Sequence, residues 1–158
     1  MIKSGKFNLK SLAHILKVFS DEVDQMFILI DQNHQVQYCN QTYLKYFKLG
    51  KADVIGALYG RALSCKHFGS DGEFCGLSNY CEICEIKKNI NLVFIRNKKK
   101  TEFDIVREFI IQEEKMMKHL KFKMLNIQLE KEVYILCIIK DLHETDKLKM
   151  LINPEESI

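Results

Sequence analysis

Three strand-like segments occupy the last third of the chain, and the short turns between them restrict the fold more than any other feature. TEFDIVREFIIQ (101–112) and HLKFKMLNIQLE (119–130) alternate between apolar and polar residues, whereas VYILCIIKDL (133–142) is almost continuously apolar. Alternation with a period of two predicts strands that bury one face, and the apolar segment predicts a central strand. The polar turns at Gln112–Lys115 and Glu130–Glu132 predict antiparallel pairing, because they are too short for a crossover.

The middle segment of these three changes phase along its length. Its apolar residues fall first at Leu120, Phe122 and Met124, and then at Leu125, Ile127 and Leu129. A shift of one residue moves side chains to the opposite face of a strand. This phase change therefore predicts a β-bulge after Met124.

Residues 26–40 (MFILIDQNHQVQYCN) predict two further strands around a polar turn. The apolar run Phe27–Ile30 forms the first strand, and the turn residues Gln32–His34 precede the second. Asn40 is a favourable N-cap for a helix over QTYLKYFKL (41–49).

Two longer helices are predicted from apolar residues that recur at spacings of three and four. These residues are Leu9, Leu12, Leu16, Phe19, Val23 and Met26 near the N-terminus, and Ile83, Ile86, Ile90 and Val93 or Phe94 in a helix from about Tyr80 to Asn97. The first set is a heptad seam. It fits a helix packed on its own domain and equally a helix that also pairs with a second copy.

The order of these elements predicts an α+β fold: a five-stranded antiparallel sheet with helices on one side and an N-terminal amphipathic helix. The chain has 158 residues, 47% of them hydrophobic, which suffices for one core without disulfides. Its one proline is Pro154, and no Gly/Ser-rich linker divides it. We expect an N-terminal helix over residues 1–24, a domain over 25–147 and a short tail over 148–158.

Several local signatures resemble, in this order, those of the PAS sensor domain. Asn40 opens a helix after a hairpin, ADVIG (52–56) resembles the motif that follows this helix, and KDLHETDKLK (140–149) resembles the exit signature. Asp141 matches the aspartate of that Asp-Ile-Thr signature, whereas His143 stands where the family has threonine. The family uses this motif to connect its sheet to the exit helix.

The resemblance covers about residues 24–147 and carries structural expectations with it. It implies a sheet that forms one wall of a small apolar cavity and, in many members, dimerisation through an N-terminal helix. The residues expected to line or fill such a cavity are Phe27, Leu29, Phe94, Phe122, Ile135 and Ile138.

Four of the six cysteines lie within the twenty residues CKHFGSDGEFCGLSNYCEIC. Cys65, Cys75, Cys81 and Cys84 have the spacing C-x9-C-x5-C-x2-C. Cys81 and Cys84 can face one point at the predicted start of a helix, whose N-terminus favours thiolates. Four thiolates suit a tetrahedral zinc ion or a [4Fe–4S] cluster. The residues do not decide between a zinc ion and a cluster, and a site without metal also remains open.

The same cysteines resemble those of a subset of PAS domains in bacterial signalling proteins. That subset carries G-x-x-L-x-C and then C-G-x-S-x-x-C-x-x-C, which GRALSC (60–65) and CGLSNYCEIC (75–84) match. The chain carries none of the family's kinase or cyclase output motifs. The resemblance implies a sensor module that is not an enzyme and signals in trans to a protein such as a histidine kinase or a regulator. We expect it to be redox- or oxygen-responsive, because the loss of an oxygen-sensitive cluster would change the fold locally.

Other functions remain open at this point. A PAS-like small-ligand or protein-interaction module would hold a purely structural zinc. A thiol–disulfide enzyme would use the Cys-Glu-Ile-Cys motif, and a zinc-bearing nucleic-acid regulator would need a basic surface. The acidic residues near the cysteines, Asp71, Glu73, Glu82 and Glu85, disfavour the last. Cys39 and Cys137 lie in predicted strands, where we expect them to be buried as small apolar side chains.

Charge and hydropathy suggest where the protein acts. The net charge of +3 is too small to predict nucleic acid as a partner. Lys10, His14 and Lys17 interrupt every apolar run near the N-terminus, so neither a secretory signal nor a membrane span is predicted. We expect a cytoplasmic protein, whose reducing surroundings favour metal ligands over disulfides.

Overall fold

Five antiparallel strands form one sheet in the order β2-β1-β5-β4-β3. The computed structural model describes residues 8–20, 25–63 and 84–142. The strands are β1 (Met26–Ile30), β2 (Val36–Cys39), β3 (Lys100–Ile111), β4 (Glu114–Leu129) and β5 (Glu132–Asp141). The helices are α1 (Leu9–Ser20), α2 (Gln41–Phe47), α3 (Lys51–Val54), α4 (Tyr59–Ala62) and α5 (Glu85–Phe94). The predicted α+β class is confirmed, with the most apolar strand, β5, at the centre.

Both faces of the sheet are covered by helices. On the inner face, helices α2 to α5 pack on strand residues such as Ile28, Phe122 and Ile135. On the outer face, Leu12 and Leu16 of α1 pack on Phe27, Leu29, Leu129 and Leu136. The sheet therefore separates two hydrophobic clusters.

The predicted β-bulge in β4 is wrong. This strand pairs in unbroken register, from Glu114 opposite Ile111 to Leu129 opposite Glu132. The apolar residues change phase because the covered face changes: Met124 lies in the inner cluster, whereas Leu125 packs against the outer cluster under α1.

Three of the six expected cavity residues lie on the other side of the sheet. Phe27, Leu29 and Ile138 belong to the outer cluster beneath α1, because the intervening residue Ile28 faces inward. The other three, Phe94, Phe122 and Ile135, lie in the inner cluster or pack against it. Periodicity identified apolar positions but not their faces, since both faces of this sheet are buried.

The helices differ from those predicted at three points. Helix α1 spans Leu9–Ser20, and Met26 belongs to β1 rather than to the heptad seam. Helix α2 ends at Phe47, because Lys48 adopts a left-handed conformation with φ of 54°. Helix α5 begins at Glu85. None of the helices within the described ranges has the length and apolar character needed to cross a bilayer.

The hairpin of β3 and β4 extends beyond the rest of the sheet. Strand β5 pairs with β4 as far as Leu120, opposite Asp141, and the Leu142 amide donates to the His119 carbonyl at 2.9 Å. From Lys118 to Glu114, the described partner of β4 is β3 alone. At this end of the hairpin, β4 therefore has a described neighbouring strand on one side only.

Candidate functional site

Cys84 lies at the first turn of α5 and is the one predicted metal ligand within the described ranges. It occupies the N-cap position, yet its side chain makes no capping hydrogen bond and is partly buried. Cys65, Cys75 and Cys81 lie outside the described residues. The assembly of the four thiols at one point therefore remains a prediction.

The Cys84 sulfur accepts a hydrogen bond from the sheet. Nη1 of Arg107 lies 3.6 Å from Cys84 Sγ, across the gap between β3 and the start of α5. The position of Arg107 follows from strand alternation, since its neighbours on the same face, Ile105 and Phe109, are buried in the inner cluster. A hydrogen bond from a guanidinium is charge-assisted, which makes it stronger than one from a neutral donor.

A second cation lies directly opposite Arg107. Lys118 of β4 is its register partner, so both side chains leave the same face of the hairpin. Like charges in directly opposed positions destabilise a sheet. The ion pairs between described residues involve Glu102 and Asp104, which alternate with Arg107 and so lie on the outer face.

The lysine in turn contacts a tyrosine that reaches the end of β5. Lys118 Nζ lies 5.2 Å from the centroid of the Tyr46 ring, a cation–π geometry. The Tyr46 hydroxyl donates to Oδ2 of Asp141 at 2.5 Å. Cys84, Arg107, Lys118, Tyr46 and Asp141 form a continuous series of neighbours, which we call the Cys84–Asp141 row. All five side chains are partly buried.

Helix α2 places Tyr46 through a cap that also binds the sheet. The Asn40 side chain accepts from the amides of Tyr43 and Phe27, and donates to the carbonyl of Gln25 at 2.7 Å. Tyr43 and Phe47 are buried on the inner cluster. One side chain therefore fixes the helix start relative to β1, and the predicted N-cap is confirmed.

His34, in the turn between β1 and β2, packs against two aromatic rings. Its ring lies 5.9 Å from that of Phe94, nearly parallel at 9°, and 5.8 Å from that of Tyr59. Burial lowers the pKa of His34, and Lys87 lowers it further, whereas Asp31 opposes the shift. A neutral imidazole is therefore favoured between the two aromatic rings.

Cys39 and Cys137 are buried, as predicted. They flank Ile28, which pairs with Cys39 on one side and Cys137 on the other. Burial raises the pKa of Cys39 to about 11 and raises that of Cys137 further. Both thiols are held in the protonated form, which is unsuited to metal binding.

Solved structures of known proteins share this architecture. The PAS domain of BvgS from Bordetella pertussis superposes with a TM-score of 0.57 at 16% identity, covering 92% of this chain and 97% of that domain. A PAS domain from Colwellia psychrerythraea gives 0.56 at 17% identity, covering 86% and 98%. The chain has the PAS fold. It matches no protein-family model and no curated protein.

A third PAS structure comes from a two-component sensor histidine kinase. It superposes with a TM-score of 0.54 at 8% identity, covering 81% of this chain and 94% of that one. At such identities the agreement concerns the fold, and residue roles in this chain must be argued from its own contacts.

Within this PAS fold, Arg107 and Tyr46 were missed by sequence reasoning. Arg107 follows an apolar stretch of β3 and Tyr46 lies beside the buried Phe47, so each resembled an ordinary strand or helix residue. One signal was available for Arg107, namely a charge on the inward-facing register of β3 between Ile105 and Phe109. Lone charges on a buried face usually have a specific partner.

Proposed function

We propose that this chain is a sensory and signal-transduction module that responds through a four-cysteine metal centre. The PAS fold, shared with a domain of a two-component sensor histidine kinase, supports the signalling role. The observation that carries the proposal is the Cys84–Asp141 row, which links the described cysteine to the end of β5 where the family's exit signature lies.

Cys84 fits a metal ligand in its chemistry. The residue is partly buried, and its sulfur takes no part in capping α5 and accepts a hydrogen bond from a cation. Metal-bound thiolates commonly accept such outer hydrogen bonds. With Cys65, Cys75 and Cys81 it would hold a [4Fe–4S] cluster or a zinc ion. A cluster would supply a redox change, and zinc would supply a structural anchor.

The residues of the row then connect this site to the exit. Arg107 donates to the Cys84 sulfur and would move with it. Lys118 lies directly opposite Arg107 in the register of β3 and β4. Tyr46 fixes the carboxylate of Asp141 relative to α2. A change at Cys84 thereby alters the restraint on Asp141, the residue from which the chain leaves the sheet.

We propose that the partner is a protein bound in trans, such as a histidine kinase or a regulator, and that the module itself is a homodimer. Helix α1 exposes apolar side chains beside its charged residues, with Ile15 50% and Val18 58% exposed. Exposed apolar residues three apart on a helix suit a helix–helix contact with a second copy. This surface adjoins the outer cluster, so dimer contacts would bear on the same sheet.

Metal analysis of protein purified without oxygen tests the centre. Iron and sulfide near four per chain with a broad absorption band around ~400 nm support a redox-responsive cluster. One zinc per chain without colour supports the structural alternative, in which the signal enters elsewhere. Protein free of both metals contradicts the proposal.

Hydrogen exchange tests the coupling. We expect Cys81→Ser to lower protection in α5 and around Asp141 more than in β1, because the row connects the first two. Cys39→Ser is the matched control, since it places the same substitution in the core outside the row. Equal loss of protection in all elements of Cys81→Ser would argue against transmission along the row.

A further inference from the structure

Arg107 is poorly explained as a structural residue. It lies on the inward-facing register of β3, where its neighbours on the same face are buried apolar side chains. Its register partner is another cation, Lys118, which increases the cost of placing a charge there. The described contact of its guanidinium is the sulfur of Cys84 at 3.6 Å.

An anionic group beside this hairpin would offset the repulsion between Arg107 and Lys118. Four thiolates carry more negative charge than a divalent metal ion cancels, so a four-cysteine site is anionic. The Lys118 ammonium lies over the Tyr46 ring, which leaves Arg107 as the cation in contact with the ligand. Arginine suits this role because its charge is permanent and its donors form a rigid fork.

We propose that Arg107 is a positioning residue for the four-cysteine centre. Its guanidinium donates to Cys84 Sγ, holds this ligand against β3 and offsets the negative charge of the thiolates. The inference rests on the proposed function, because it assigns a role toward the metal centre proposed there. It adds the prediction that the sheet, and not the cysteine segment alone, sets the properties of that centre.

Removal of the Arg107 donor should lower the metal affinity of the centre and, for a cluster, change its reduction potential. Substitution of groups that hydrogen-bond metal ligands commonly lowers metal affinity by about 10- to 100-fold. For a cluster, hydrogen bonds to sulfur and nearby positive charge raise the reduction potential. Arg107→Gln should therefore lower the potential, and Arg107→Lys, which retains the charge, should restore part of it.

The experiment compares wild type, Arg107→Gln, Arg107→Lys and Arg96→Gln, all purified without oxygen. Arg96 is an exposed arginine beyond the end of α5 and serves as the matched control. For zinc-loaded protein the measurement is competition against EDTA, with about 10- to 100-fold weaker binding expected in Arg107→Gln alone. For cluster-loaded protein it is the midpoint potential. Arg107→Lys keeps the long stem and the charge, so a folded variant remains measurable if Arg107→Gln does not fold.

The two possible failures are distinguishable. Wild-type protein without metal overturns the centre itself, and the role of Arg107 with it. Metal-loaded wild type with unchanged affinity and potential in both Arg107 variants overturns the role of Arg107 alone. Arg96→Gln with the same loss as Arg107→Gln also overturns it, because the effect would then follow from net charge rather than from contact.

Discussion

The Tyr46 hydroxyl donates a hydrogen bond to the carboxylate of Asp141, although the two residues are 95 positions apart in the chain. The contact joins α2 to the last residue of β5, the central strand of the sheet. It restrains the end of β5 relative to α2.

Tyr46→Phe removes the hydroxyl and leaves the ring in place beneath Lys118. Because the bond is made to a carboxylate and is partly buried, we expect the free energy of unfolding to fall by about 1–2 kcal/mol in urea titrations. Tyr134→Phe, the same change on the opposite face of β5, should have a smaller effect. Additive effects of Tyr46→Phe and Asp141→Asn in a double-mutant cycle would contradict a direct interaction.

Asn40→Ala should be the most destabilising single polar substitution of this set. It removes the cap of α2 and leaves the buried amide of Phe27 and carbonyl of Gln25 without their partner. We expect a loss of about 2–4 kcal/mol by urea unfolding. Asn40→Asp keeps the acceptor but not the donor, so it should lie between wild type and alanine. An alanine variant as stable as wild type would show that the cap contributes nothing.

His34 should make the stability of the fold depend on pH. Its pKa is lower in the folded chain than the ordinary value of 6.5, so the unfolded chain binds the proton more readily. The contribution is fully present above pH 6.5 and is lost as the pH falls through the lowered pKa. His34→Asn, which tolerates the left-handed backbone at φ 64°, should flatten this dependence relative to wild type. Equal slopes in urea titrations between pH 5 and pH 7 for both proteins would refute the assignment, and His14→Asn on exposed α1 is the control.

Alkylation should separate the cysteines by burial. With iodoacetamide at pH 8 on metal-free native protein, Cys84 should react well before Cys39 and Cys137, as measured by mass spectrometry. A pKa of about 11 leaves roughly one Cys39 in a thousand as thiolate at that pH, and its sulfur is also buried. In urea all three should react at similar rates. Rapid native labelling of Cys137 would show that the central strand opens.

Val18→Lys should dissociate the proposed homodimer without unfolding the domain. Val18 is 58% exposed on α1, so the charge costs little in the monomer but opposes contact with a second copy. Sedimentation equilibrium should give the mass of one chain for this variant and of two for wild type. Val106→Lys, which changes a valine on β3 that is 66% exposed, should remain dimeric. Unchanged mass in Val18→Lys would exclude α1 as the dimer contact.

The strands and their order in the chain could be predicted because each is an alternating or a continuously apolar segment bounded by polar turn residues. The face that each residue occupies could not, as Leu125 and Ile127 illustrate. Their phase change had two physical explanations, a bulge or a second covered face, and the packing of α1 decided for the second. The face that these residues occupy is therefore set by tertiary packing rather than by local propensity.

The sequence singled out four candidate ligands by their spacing, and their role as a metal site stays a prediction. Arg107 and Tyr46 could not be singled out in this way, because their contacts are with residues 23 and 95 positions away. No local pattern encodes such pairs, because strand register and helix placement create them. Three of the four predicted ligands lie outside the described residues, so their assembly rests on the metal analysis proposed above.

The one-sided support of the hairpin at Lys118 has a mechanical consequence. Two-stranded ribbons twist more freely than strands held on both sides. A displacement of Arg107 would therefore rotate the projecting end of β3 and β4 about its long axis rather than slide it along β5. Lys118 would swing across the Tyr46 ring during that rotation. In the proposed function, the change that reaches Asp141 would then be a rotation and not a linear shift.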